Sequence, residues 1–113
     1  MNNLRNRVTL IGRLGKEPEV RTLEGNKKVV RMLLATSEDH TDKDGQKEKE
    51  TQWHNLVVWG SLGEICEKFL TKGKEIAIEG KITYRNWNDK EGKTHYMTEI
   101  NVSEMLMIGA KAN

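Results

Sequence analysis

The sequence predicts an all-β fold with one helix, and three observations support that prediction. Apolar and polar residues alternate at a period of two through most of the chain, one segment alone switches to helical spacing, and glycines fall inside three of the extended runs. The 113 residues suit a single domain with a modest core. At 35% hydrophobic and 32% charged, that core must be lean under a heavily charged surface.

Residues 5–14, RNRVTLIGRL, open the fold, with Val8, Leu10, Gly12 and Leu14 on one face and Arg7, Thr9, Ile11 and Arg13 on the other. A glycine inside such a strand predicts a bend or the close approach of another backbone. GKEP, with the single proline Pro18, leads into a short extended piece, EVRTL. Gly25-Asn26 then turns the chain into KKVVRMLLATS, rich in β-branched and aliphatic residues. Residues 38–50, EDHTDKDGQKEKE, hold no apolar residue and predict a long, mobile polar loop.

TQWHNLVVWG, residues 51–60, is the next strand. Its alternation sets Trp53, Asn55, Val57 and Trp59 on one face and His54, Leu56 and Val58 on the other. In SLGEICEKFLTKG the period changes, and Leu62, Ile65, Cys66, Phe69 and Leu70 form one helical stripe. Ser61 and Glu64 match a capping box, and Lys72-Gly73 matches a helix stop. KEIAIEGKITYRNW resumes the strands with Ile76, Ile78, Ile82 and Tyr84 on one face, interrupted by Gly80. NDKEGK is a hairpin tip, and HYMTEINVSEMLMIG returns from it.

Three strands, a helix and two strands with interior glycines predict an OB-fold, a five-stranded Greek-key barrel with the helix between strands 3 and 4. A twisted α+β sandwich is the competing layout. The domain is expected to span residues 1–109, leaving 110–113 as a short C-terminal remnant.

Net charge is only +2, but its distribution is uneven. Between residues 5 and 31, Arg5, Arg7, Arg13, Lys16, Arg21, Lys27, Lys28 and Arg31 face only Glu17, Glu19 and Glu24. That third is a candidate polyanion surface, and on charge alone a set of solvated strand faces explains it equally well. A lone cysteine, Cys66, excludes an intrachain disulfide and fits a reducing compartment; on the helical stripe it reads as an inert core thiol. No apolar run approaches membrane-spanning length, and MNNLRNRVTL lacks the apolar centre of a signal peptide, so a cytoplasmic location is expected. His40, His54, His95 and Cys66 show no metal-ligand spacing, and neither a metal nor a cofactor is expected.

The three tryptophans carry the functional signal. Trp53 and Trp59 lie opposite the Leu56–Val58 face, about 20 Å apart at ~3.3 Å per residue. Trp87 shares the parity of Lys81, Thr83 and Arg85, again opposite the isoleucines. Indoles outside a core mark either a protein contact or a platform for stacking unpaired bases, with nearby cations tracking the phosphates. Sugars and proline-rich peptides are further ligands for exposed aromatics. Duplex DNA does not suit such a stacking platform, because its bases are already stacked on each other.

Across residues 4–108, VTLIGRLGKEPEVR, LLATSE, WHNLVVWG, a helix and KGKEIAIEGKITYRNW occur in an order that closely resembles the bacterial single-stranded DNA-binding protein family. The resemblance implies sequence-independent binding of single-stranded DNA in replication, recombination and repair, by a homotetramer of OB-folds in the nucleoid-bearing cytoplasm. It implies stacking on Trp53, Trp59 and Trp87, with His40 standing where the family carries a further tryptophan. It also implies phosphate contacts from Arg7, Arg21, Lys43, Lys72 and Arg85, to which Arg31 adds a basic residue where relatives are often polar. Ser61 replaces a common lysine, and His54 matches a residue at the family's subunit interface. The family's acidic C-terminal tip, which recruits replication proteins, has no counterpart in MLMIGAKAN, so recruitment through a tail is not expected.

Two other classes compete. One is a primosomal-type OB module whose aromatics meet a protein, with single-strand binding secondary. The other is an OB-fold nuclease, which would need a carboxylate cluster holding a metal; the acids here form no such pair on an apolar cleft, and no enzyme is expected.

Overall fold

The computed structural model describes residues 4–109. The expected C-terminal remnant at 110–113 lies outside the described residues. Six strands and one helix follow in the order β1 (Val8–Leu14), β2 (Glu19–Thr22), β3 (Lys28–Thr41), β4 (Lys47–Trp59), α1 (Gly60–Phe69), β5 (Glu75–Asn88) and β6 (Thr94–Met107). The sheet runs β1-β5-β6-β4-β3-β2, and β1 also pairs with β3. That last pairing closes β1, β5, β6, β4 and β3 into a five-stranded barrel, with β2 added along the outside of β3 and α1 between the third and fourth barrel strands. This is the OB-fold layout that the alternation predicts.

Closure depends on glycines where strands cross tightly. A Cβ on Gly12 would stand 2.2 Å from the Ala35 carbonyl oxygen, so β1 can bend against β3 only without a side chain there. At Gly80 a Cβ would meet the Asn101 oxygen at 2.3 Å, and the β5–β6 register slips beside it, Glu79 facing Glu104 and Gly80 facing Val102. The skipped Ser103 is a bulge that reverses the parity of β6, so Met105 on one side of it and Val102 and Ile100 on the other all turn inward. Together with Leu14, Val30, Met32, Leu34, Leu56, Val58, Ile76 and Ile78, they form the barrel interior.

The helix differs from its sequence prediction at both ends. Gly60, at φ 66°, takes the chain from β4 straight into the helix; Ser61 thus falls inside the first turn, and the helix start carries no side-chain cap bond. The helix closes at Phe69, where the Leu70 amide donates to the Cys66 carbonyl, three residues short of the expected Lys72-Gly73 stop. Its buried side is also rotated. α1 sits so close to β4 that a Cβ on Gly63 would lie 2.9 Å from the Val58 oxygen. Gly63, Cys66 and Leu70 therefore face the barrel, while Ile65 and Phe69 of the expected stripe stay exposed. Burial pushes the Cys66 thiol up to about 11, as suits a core residue.

The largest correction is at residues 38–50, which form no loop. β3 and β4 run on as one antiparallel ladder from Val29 opposite Trp59 out to Thr41 opposite Lys47, and only residues 42–46 turn. A ladder beyond the barrel has no core to face, so apolar alternation gives no sign of it; its backbone groups satisfy each other and both its faces are wet. Tyr84, expected to share the isoleucine face, keeps that parity but sits past the barrel on the β5–β6 arm, 79% exposed.

Candidate nucleic-acid interface

Directly opposed residues in neighbouring strands share a face, so the registers lay out the outer surface of the sheet in rows. One row runs Glu19, Arg31, Val57, Asn101, Lys81; beside it lie Arg21, Val29 and Trp59. On the other side come Leu33, Asn55, Glu99 and Thr83, and then Ala35 with Trp53 on β3–β4. Arg85 with Met97 and Trp87 with His95 continue the same face along β5–β6. The three tryptophans thus share one surface with Arg21, Arg31, Lys81 and Arg85. All three indoles lie outside the core, with Trp53 59% exposed, Trp59 44% and Trp87 38%.

Each indole has its own support. The ring of Trp53 lies on Gly15, where a Cβ would stand 2.5 Å from its six-membered edge. Trp59 borders a cleft of about 530 Å³ with Asn26, Lys27, Lys28 and the start of α1. Trp87 is the most enclosed: the Arg85 guanidinium carbon lies 5.0 Å from its ring centroid, and His95 stacks on it at 5.4 Å with 20° between planes. The His95 ring is held in turn by Asp89, Nε2 to Oδ2 2.8 Å.

The expected basic positions fall into two groups. Arg21, Lys43 and Lys72 are exposed and form no ion pair with another described residue. Arg7 pairs with Glu79, and Arg31 and Arg85 both pair with Glu99, the latter at 3.3 Å from Nε. Half of the eight bases in the N-terminal third pair with acids distant in sequence: Lys28 with Glu67, Arg13 with Glu75, Arg7 with Glu79 and Arg31 with Glu99. Charge counted within a window could not reveal these partners.

His40 and His54 do not join the tryptophan face. His40 has the opposite parity on the β3–β4 arm, across from Glu48 and within 3.9 Å of both Glu48 and Glu50. His54 is half-buried on the core-side parity, its Nε2 2.9 Å from the Thr36 hydroxyl. From the sequence, Glu99 and Lys81 carry no contact role, and Arg5 enters only as one of the bases of the N-terminal third. Glu99 is the buried acid at the centre of the face, and no local signal marks it among the chain's many glutamates. Arg5 and Lys81 line a cleft of about 540 Å³ with Arg7 at the β5–β6 bulge, which the interior Gly80 could have pointed to.

Comparison with known proteins places this surface in context. Residues 5–108 match the family described as the Single-strand binding protein family. Single-stranded DNA-binding protein 1 of Chlorobaculum tepidum is 45% identical over 107 residues, which are 94% of this chain and 66% of that protein. Single-stranded DNA-binding protein 1 of Xylella fastidiosa is also 45% identical over 107 residues, covering 94% of this chain and 79% of the relative. The Plasmodium falciparum SSB, solved in complex with ssDNA, superposes with a TM-score of 0.85 at 30% identity, covering 92% of this chain and 95% of that one. With that match spanning residues 5–108, the chain belongs to the Single-strand binding protein family.

Proposed function

We propose that this protein binds single-stranded DNA without sequence preference, in replication, recombination and repair, and does so as a binder and not as an enzyme. The observation that carries the reading is the set of three indoles left outside the barrel on one face, interleaved with arginine and lysine. Unpaired bases offer a flat π-face whatever their identity, and each stack contributes about 1–3 kcal/mol, while cations follow the phosphates. Trp53, Trp59 and Trp87 take the stacking role in this proposal, and Arg7, Arg21, Arg31, Lys43, Lys72 and Arg85 the phosphates. His40 takes part where the strand passes round the β3–β4 arm to its other face. The family resemblance supports a homotetramer with His54 packed between protomers, working in the cytoplasm on the nucleoid. Among the described residues no helix is long and apolar enough to cross a membrane.

Titration with oligo-dT, followed by tryptophan fluorescence, tests the proposal. Quenching is expected, with affinity that falls with salt at a slope near −0.7 per phosphate neutralised. Absence of quenching together with absence of salt-dependent binding would refute it. Sedimentation of the free protein checks the tetramer separately.

A further inference from the structure

Glu99 is the only charged side chain among the described residues that is almost fully buried, at 5% exposure, and it lies on the tryptophan face instead of in the barrel interior. Its carboxylate meets Arg31 on one side and Arg85 on the other, the Arg85 Nε 3.3 Å from Oε1. β3 and β6 are separated by β4, so Arg31 spans two inter-strand gaps of roughly 4.8 Å each to reach Glu99. Its path crosses β4 at Val57, its cross-strand partner, and Val57 is buried although it faces outward.

A guanidinium carries five donors in a rigid fork. Arg31 spends Nη1 on Glu99; Arg85 spends Nε and Nη2 on Glu99 and directs Nη2 also at the Met97 sulfur, 3.5 Å away. Arg31 Nε and Nη2 and Arg85 Nη1 make no hydrogen bond with a described residue, and the two side chains remain 40% and 45% exposed. The inner edge of each fork is anchored while the outer edge is left to the solvent. The same anchoring keeps the Arg85 guanidinium beside the Trp87 ring.

We propose that Glu99 is a positioning residue for nucleic-acid binding: it fixes Arg31 and Arg85 from beneath, so that two phosphate-binding forks and the Trp87 ring are already in place before a strand arrives. Arg31, Arg85 and Glu99 sum to +1, and Glu19, which faces Arg31 across the strands, is itself offset by Lys16 and Arg21, so the face still attracts a polyanion. Preorganisation of this kind lowers the side-chain ordering that binding would otherwise require. The inference rests on the single-strand reading for its ligand, but the arrangement exists in the free protein and can be measured there.

The test compares Glu99→Gln in the parent and in an Arg85→Met background, with oligo-dT binding followed by anisotropy. In the parent, Glu99→Gln is expected to weaken binding about fivefold, and in the Arg85→Met background to have a clearly smaller effect, because the two residues act as a unit. Unchanged or tighter binding by Glu99→Gln overturns the proposal, since it would make Glu99 a mere competitor of phosphate. An equal loss in both backgrounds also overturns it, as a general structural defect. A second measurement needs no DNA. With Trp53→Phe and Trp59→Phe leaving Trp87 as the only indole, Glu99→Gln should raise acrylamide quenching of Trp87, and unaltered quenching overturns the proposal. If Glu99→Gln does not fold, Arg85→Met reports the same link from the exposed end. Should the parent ignore oligo-dT, the single-strand reading falls by itself, and the quenching arm still decides whether Glu99 presets the face.

Discussion

Two hairpin arms project beyond the barrel, and they share one tip but carry different side chains behind it. In the β3–β4 arm the tip is DKDGQ, in the β5–β6 arm DKEGK. Asp42 Oδ1 accepts from the amides of Asp44 and Gln46, and Asp89 Oδ1 from those of Glu91 and Lys93, all at 2.9 Å. The glycines are alike too, Gly45 at φ 79° and Gly92 at φ 83°, a left-handed conformation that glycine adopts without strain. Behind these tips the arms diverge. The β3–β4 arm carries only polar pairs, such as Asp39 opposite Lys49 and Ser37 opposite Thr51, while the β5–β6 arm carries Trp87, His95, Arg85, Tyr84 and Tyr96. A turn is set by local backbone chemistry; what an arm can bind depends on what its strands place on each face.

That contrast can be broken by experiment, most forcefully at the aromatic. Trp87→Ala should weaken oligo-dT binding by about 1–3 kcal/mol, while His40→Ala on the other arm should cost clearly less. Equal losses by anisotropy would refute a difference in binding between the arms. Next come the shared tips: Gly45→Ala and Gly92→Ala should each destabilise by roughly 1 kcal/mol, with similar falls in thermal midpoint, because both force a Cβ into the left-handed region. A large inequality would mean that the tips are alike only in outline.

The smallest effect concerns protons. The His95 hydrogen bond, then the Lys93 amide, holds the Asp89 carboxyl below the usual carboxylate range. A carboxyl depressed in the folded state contributes stability that is present above its unfolded value and lost as pH falls through the lower folded one. The β5–β6 tip should therefore loosen only in acid below the ordinary aspartate titration near pH ~4. NMR titration of Asp89 should give a low midpoint that rises in His95→Ala; a midpoint indifferent to His95 would remove that ring from the tip.

The arms also explain which elements were legible. NDKEGK could be recognised as a hairpin tip because apolar and aromatic alternation on both sides announced strands. DKDGQ has the same chemistry but sits among charges, so the β3–β4 arm looked like a loop. Helix α1 could be placed by its period but not by its caps, because Gly60 lets the chain turn early and Gly63 decides how closely the helix lies on β4. In the same way, strand parity put Trp53, Trp59 and Trp87 outside the core but could not say what touches them.

By itself, the sequence determined the strands of the barrel, the single helix, the outward side of the tryptophans and the bends at Gly12 and Gly80. These follow from periodicities of two and 3.6 and from steric rules that act over a few residues. Only the tertiary structure decided that Arg31 and Arg85 meet on Glu99, that Trp53 rests on Gly15 and that acids of β5, β6 and the helix pair with Arg7, Arg13, Lys28 and Arg31 of the basic N-terminal third. Those partners lie dozens of residues apart, and register and barrel closure, which no local pattern encodes, bring them together.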